Sequence, residues 1–209
     1  MRRFLGLIVF LLVFIQGFAQ DNFSAKFFGF SFHPDGDVNA DNMPTKIDRN
    51  GYLVINLGVY LGYEKFFHKD KLSLKAVTAF YSDCGGLFSG LAHVGFRGVI
   101  FDTENFSVNG GIGPTLIYRR SWYSKFDDYI NSGFYRGNET DFWQYKFLWY
   151  GGELEFNFKM NKALDLSVTF IPGYPKLMAL SVGVRYRFHY RSKPKSKKVE
   201  MQTQGIAKS

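Results

Sequence analysis

The stretch Met178-Ala-Leu-Ser-Val-Gly-Val-Arg-Tyr-Arg-Phe188 decides the fold. In extended backbone, Met178, Leu180, Val182, Val184, Tyr186 and Phe188 share one face, and Ala179, Ser181, Gly183, Arg185 and Arg187 share the other. A period of two residues marks a β-strand whose two faces meet different surroundings. Arginine at every second position is costly against hydrocarbon, so the arginines must turn toward a lumen while the aliphatic and aromatic side chains meet lipid.

The same alternation appears in seven earlier segments, near residues 25–33, 51–66, 72–83, 89–101, 106–120, 141–160 and 164–173, and the last runs over 177–188. Their connections alternate as well. Residues 68–71, 103–105 and 161–163 make short turns, whereas residues 34–50 and 121–140 make long polar loops. Short periplasmic turns, longer outer loops and an even strand number are features of bacterial outer-membrane barrels. The expected fold is therefore all-β: an eight-stranded antiparallel transmembrane β-barrel in the outer membrane of a Gram-negative bacterium.

Composition agrees with that class. Aromatic residues make up 19% of the chain, with 24 Phe, 13 Tyr and 3 Trp, a surplus suited to lipid-facing strands and interfacial girdles. Arg2 and Arg3 precede an apolar run that stops at Gly17-Phe-Ala19, which reads as a cleaved signal peptide over residues 1–19. No later stretch approaches the roughly 18 uninterrupted apolar residues of a membrane helix. Residues 20–190 then form the barrel, and residues 191–209 form a basic disordered tail in the periplasm. Cys84 is the single cysteine, which rules out an internal disulfide framework. The formal net charge of +8 comes mostly from the signal and the tail, and without them about +1 remains, so there is no nucleic-acid footprint.

The strand parity places Glu64, Lys75, Arg97, Glu153, Glu155, Asp165, Arg185 and Arg187 inside, toward the periplasmic half, where they can compensate one another as a plug of ion pairs. Toward the outer half it places Gly29, Ser31, Val54, Val77, Ala79, Leu91, Gly95, Gly113, Thr115, Ile171, Ala179 and Ser181 inside. That lining leaves two alternatives open. It can hold a narrow apolar ligand, or it can be filled by bulky neighbours such as Tyr52, Tyr81, Phe147 or Trp149, since eight-stranded barrels are just wide enough to be filled by side chains.

Polar residues gather at the outer rim: His33 where the first strand ends, and Asp83 with Ser82 or Cys84 where the third ends. A histidine beside a carboxylate and a hydroxyl or thiol is the set that deprotonates an alcohol for acyl transfer. Loop-end His and Asp residues also serve as solvated or turn-forming groups.

Short motifs carry a family resemblance. Thr169-Phe-Ile-Pro-Gly173, Glu104-Asn-Phe-Ser-Val-Asn-Gly-Gly-Ile-Gly113, and Ala79-Phe80 followed by Asp83-Cys84 resemble segments of the outer-membrane lipid A palmitoyltransferase family, and Arg185-Tyr-Arg-Phe188 resembles its final aromatic strand. The likeness spans roughly residues 25–188 by topology. It implies transfer of an acyl chain from a phospholipid to lipid A, with His33, Asp83 and either Cys84 or Ser82 as the catalytic groups and no metal or cofactor. It also implies lateral entry of lipid beside Pro172, because proline cannot donate to a sheet ladder and weakens its pairing. The amphipathic helix that the family carries before its first strand has no counterpart here. Ser181 to Phe188 also resembles the β-signal read by the barrel-assembly machinery. The expected partners are membrane lipids and that machinery, acting on a monomer. The competing expectation is a non-catalytic barrel that adheres, anchors or stabilises the membrane. A lipid A deacylase would need a His-x-Ser arrangement on one strand, and the sequence has none in place.

Overall fold

The computed structural model describes residues 21–68, 71–173 and 177–188, so the expected signal peptide and the basic tail lie outside the described residues. Eight strands follow in order: β1 (Asp21–Phe32), β2 (Leu53–His68), β3 (Leu72–Ser82), β4 (Phe88–Asp102), β5 (Phe106–Arg120), β6 (Trp143–Lys159), β7 (Leu164–Gly173) and β8 (Leu177–Phe188). Each pairs antiparallel with its neighbours, and β1 pairs with β8 to close the barrel. Among the described residues no helix is long and apolar enough to cross a membrane. The crossing is made by strands, whose closed ladder leaves few backbone groups unpaired in lipid.

The outer surface explains why the sheet closes in a bilayer. Phe23, Phe27, Phe30 and Phe32 on β1, Leu57 and Val59 on β2, Phe96 on β4, and Val182, Val184 and Tyr186 on β8 all stand exposed. Water would penalise an apolar surface of this extent, whereas hydrocarbon accepts it. The chain is a membrane-spanning barrel.

Below the outer mouth the lumen is filled by side chains. In the half where β1 begins and β8 ends, Glu155 is the hub, 2.7 Å from both Lys26 and Lys75, 3.1 Å from Arg97 and 3.6 Å from Arg185. Arg97 also reaches Glu64 at 3.3 Å, Lys75 contacts Glu153, and Asp165 lies 2.6 Å from Arg185 and 2.9 Å from Arg187. All of these side chains are buried. An unpaired buried charge is strongly destabilising, so the cluster holds only because each charge has partners of opposite sign.

Above it, Tyr60 marks the change to an apolar interior, its ring 5.2 Å from Lys26 Nζ and 5.3 Å from Lys75 Nζ. Phe28 and Tyr81 stack with ring centroids 4.2 Å apart and pack with Val77, Ala79, Leu91, Ile117 and Ala179. Of the bulky residues considered from the sequence, Tyr81 is the one that fills the lumen, while Tyr52, Phe147 and Trp149 are exposed.

β1 departs from the sequence expectation in two ways. It starts at Asp21, four residues before the expected start at 25, because Asn22 and Ser24 already alternate inward with Phe23 outward. It also carries a β-bulge between Phe28 and Phe30. A bulge adds one residue and reverses the inside-outside parity beyond it. Gly29, expected inside, therefore lies on the outer side, where an added Cβ would sit 2.6 Å from the Phe27 ring. Lys26 and Phe28 take the lumen positions instead. A second irregularity lies opposite Pro114: the β5–β6 register shifts between Gly113 and Thr115, and the successive residues Trp149 and Tyr150 are both exposed.

Candidate functional site

Three loops close the outer mouth, and short polar side chains shape each of them. In residues 33–52, Asp48 accepts from the backbone N–H groups of Asn50 (3.0 Å), Tyr52 (3.0 Å) and Leu53 (2.7 Å). The bond from Leu53, with those from Tyr52 and Asn50, holds the Asp48 carboxyl below the usual carboxylate range against a smaller opposing effect of burial. Asn39 bonds reciprocally with the Ile130 backbone, at 2.9 Å to its carbonyl and 2.8 Å from its N–H. Met43, Cys84, Trp122 and Tyr129 then pack as one apolar cluster under the joined loops.

Asp83 organises the third component. Its Oδ1 accepts from Gly85 N–H (3.0 Å) and Leu87 N–H (2.9 Å), and its Oδ2 accepts from Ser89 Oγ (3.1 Å) and Trp122 Nε1 (2.9 Å). Asp residues at strand ends commonly fold back on their own turn in this way. Gly86, with φ +75°, supplies the left-handed residue that this turn needs.

His33 is buried and faces the same cleft as Asp83, Arg119 and Asp37. Its carboxylate neighbour is Asp37 rather than Asp83: His33 Nδ1 lies 3.5 Å from Asp37 Oδ2. At that separation neither ring nitrogen of His33 makes a hydrogen bond. Burial raises the Asp37 carboxyl, but contact with His33 and the bonds from Asn39 N–H (2.8 Å) and Asn39 Nδ2 (3.1 Å) outweigh it, and the group ends below the usual range.

The two nucleophile candidates differ in placement. Cys84 is buried in the apolar cluster, and that burial pushes its thiol up, which disfavours the thiolate. Ser82 is half-buried on the outward parity of β3 and does not line the cleft. The expected trio thus shares one end of the barrel, with His33, Asp83 and Cys84 in one cleft and no hydrogen bond between His33 and Asp83.

Arg119 is the cleft residue missing from the sequence reading. Its guanidinium is buried, 4.1 Å from the Tyr135 ring and 4.3 Å from the Trp122 ring, and it donates to Gln144 Oε1 (3.0 Å) and Tyr129 Oη (2.9 Å). The available signal was parity, since Thr115, Ile117 and Arg119 fall on the inward side of β5.

Pro172 lies where one ladder ends. It pairs with Met178 across β7–β8, but the β6–β7 ladder stops at Leu154 opposite Phe170, leaving Pro172 beside Gly152 without a β6 partner. Behind this seam Ile171 and Leu148 pack onto the apolar fill. Among the described residues no group of three His, Cys, Asp or Glu side chains is arranged to hold a metal ion.

No protein-family model matches the chain. No curated protein matches it either. Among solved structures it is similar to the outer membrane protein Ail of Yersinia pestis in a phospholipid bilayer nanodisc, at 14% identity and a TM-score of 0.42 over 81% of this chain and 99% of that one. It is also similar to the outer membrane protein OprG from Pseudomonas aeruginosa, at 14% identity and a TM-score of 0.44 over 82% of this chain and 97% of that one. These likenesses concern the fold.

Proposed function

We propose that this outer-membrane barrel is a non-catalytic anchor that presents a rigid recognition cap at the cell surface. The observation that carries the reading is the filled lumen. The Phe28–Tyr81 stack occupies the outer half and the Glu155 ion cluster the inner half, so neither an acyl chain nor a solute has an open path. What remains available is the cap, where hydrogen bonds between loops far apart in sequence fix one shape in advance of any ligand. Preorganisation of this kind favours binding by lowering the ordering cost.

The second reading is acyl transfer from a phospholipid to lipid A. It draws support from the shared cleft of His33, Asp83 and Cys84. In that scheme His33 is the general base toward a lipid hydroxyl, Asp83 orients it, and Cys84 or Ser82 binds the acyl carbonyl. Mass spectrometry of lipid A from cells with and without the protein separates the two. An unchanged profile under induced expression is expected, and a gain of one acyl chain that disappears in His33→Ala overturns the anchor reading.

A further inference from the structure

We infer that the outer cleft is a binding site for a small oxyanion, a phosphate or a carboxylate, seated between the Arg119 guanidinium and the His33 imidazole. The inference names the ligand class of the proposed cap, and so rests on that reading. It starts from a contrast in charge compensation. Lys26, Lys75, Arg97 and Arg185 each contact at least one carboxylate in the lumen. Arg119 is equally enclosed at 8% exposure, yet its described polar partners are the neutral Gln144 and Tyr129, with aromatic rings against its faces. A buried guanidinium needs opposite charge, and its planar fork matches the oxygens of a phosphate or carboxylate.

The remaining groups of the cleft supply more donors than acceptors. His33 is 7% exposed and neither of its ring nitrogens is hydrogen-bonded. Ser31 accepts a hydrogen bond from Asn56 Nδ2 at 2.5 Å, which leaves its own O–H to donate. Of the two carboxylates that line the cleft, Asp83 is engaged by four donors and Asp37 accepts twice from Asn39 through Oδ1. These bonds take up most of the acceptor capacity that would hold a cation or a donor-rich ligand. The Tyr129 hydroxyl accepts from Arg119, so its proton too is left to donate. A ligand that brings oxygen acceptors and negative charge satisfies this arrangement.

Two sources carry the same chemistry, a lipid headgroup phosphate and a dissolved anion, and the test separates them. The full-length barrel in uncharged maltoside micelles is titrated with inorganic phosphate, with acetate and with a short-chain phosphatidic acid, while the indole N–H resonance of Trp122, whose ring lies 4.3 Å from the Arg119 guanidinium, is followed by NMR. A saturable shift is expected, absent with chloride, and about tenfold weaker in affinity for Arg119→Lys and for His33→Gln. His33→Gln removes no hydrogen bond of the fold, so it keeps the test intact if the Arg119 variant fails to refold. Binding of phosphatidic acid alone assigns the site to headgroups, and binding of free phosphate or acetate assigns it to solutes. No shift with any of the three probes, or unchanged affinity in both variants, overturns the inference. The lipid A profile tests the anchor reading separately, so either can fail without the other.

Discussion

Trp122 donates its indole N–H to Asp83 Oδ2 across 2.9 Å, joining two loops separated by 39 residues. The carboxylate also fixes its own turn, so one hydrogen bond sets the position of the loop over residues 121–142 against the β3–β4 connection. Trp122→Phe keeps an aromatic ring in the cluster and removes the donor. Hydrogen bonds to charged groups contribute about 1.5–3 kcal/mol, and the loss should fall on the cap. Limited proteolysis within residues 121–142 should accelerate while the barrel stays closed, and unchanged cleavage would refute this role for Trp122.

Glu155 is the most heavily shared carboxylate of the lumen. Glu155→Leu leaves Lys26, Lys75, Arg97 and Arg185 with fewer compensating charges, and breaking a buried pair from one side costs about 3–5 kcal/mol. Urea unfolding of the barrel in lipid vesicles should report a loss of that order. Wild-type stability in this variant would mean that water, rather than ion pairing, solvates the cluster.

Gly183 sits at the seam that closes the barrel. A Cβ there would lie 2.3 Å from the Ala25 carbonyl oxygen and 2.5 Å from Lys26 Cα. Gly183→Val must therefore push β8 from β1 and should cost at least about 1–3 kcal/mol, with a fall in refolding yield. Gly98→Ala is the control, because its nearest neighbour would be Leu72 Cδ2 at 3.8 Å. Equal refolding of the two variants would contradict the crowding at the seam.

Asp37 and Asp48 are both held below the ordinary aspartate range. Their contribution is fully present above the unfolded value of about 3.9, and it is lost as pH falls through the lowered folded values. The first long loop should loosen in acid below that point while the strands persist. Hydrogen exchange at Asn50, Tyr52 and Leu53 measures it, and protection that does not fall on acidification would count against the carboxylates as the fastening.

β8 was readable because its arginines and aliphatic residues obey one parity along its whole length, and the same held for Lys75, Arg97, Glu153 and Glu155. Lys26 and Phe28 were not readable, since period-two reasoning fails across a bulge that nothing in the sequence around Gly29 announces beyond the glycine itself. The rim was legible as a place and not as a set of contacts. Strand direction brings His33 and Asp83 to one end, but Asp83 is occupied by its own turn and by Trp122, and loop folding seats Asp37 beside His33. Arg119 followed the inward parity of β5 and was hidden only by lying next to Arg120, a second cationic residue at the end of that strand.

The irregularity at Gly29 sets what the first strand can offer along its length. Were the strand to run through Gly29 in unbroken alternation, Phe30 and Phe32 would point into the mouth, and Ser31 and His33 would be turned toward the lipid headgroups. Inserting a single backbone unit lets both ends of β1 display rings to the bilayer while the opposite face changes from a lysine that locks the base to a serine and a histidine that meet whatever arrives from outside. Ironing out the bulge with every residue kept would exchange the two roles in one step, whereas removing Gly29 itself would leave both faces as they are.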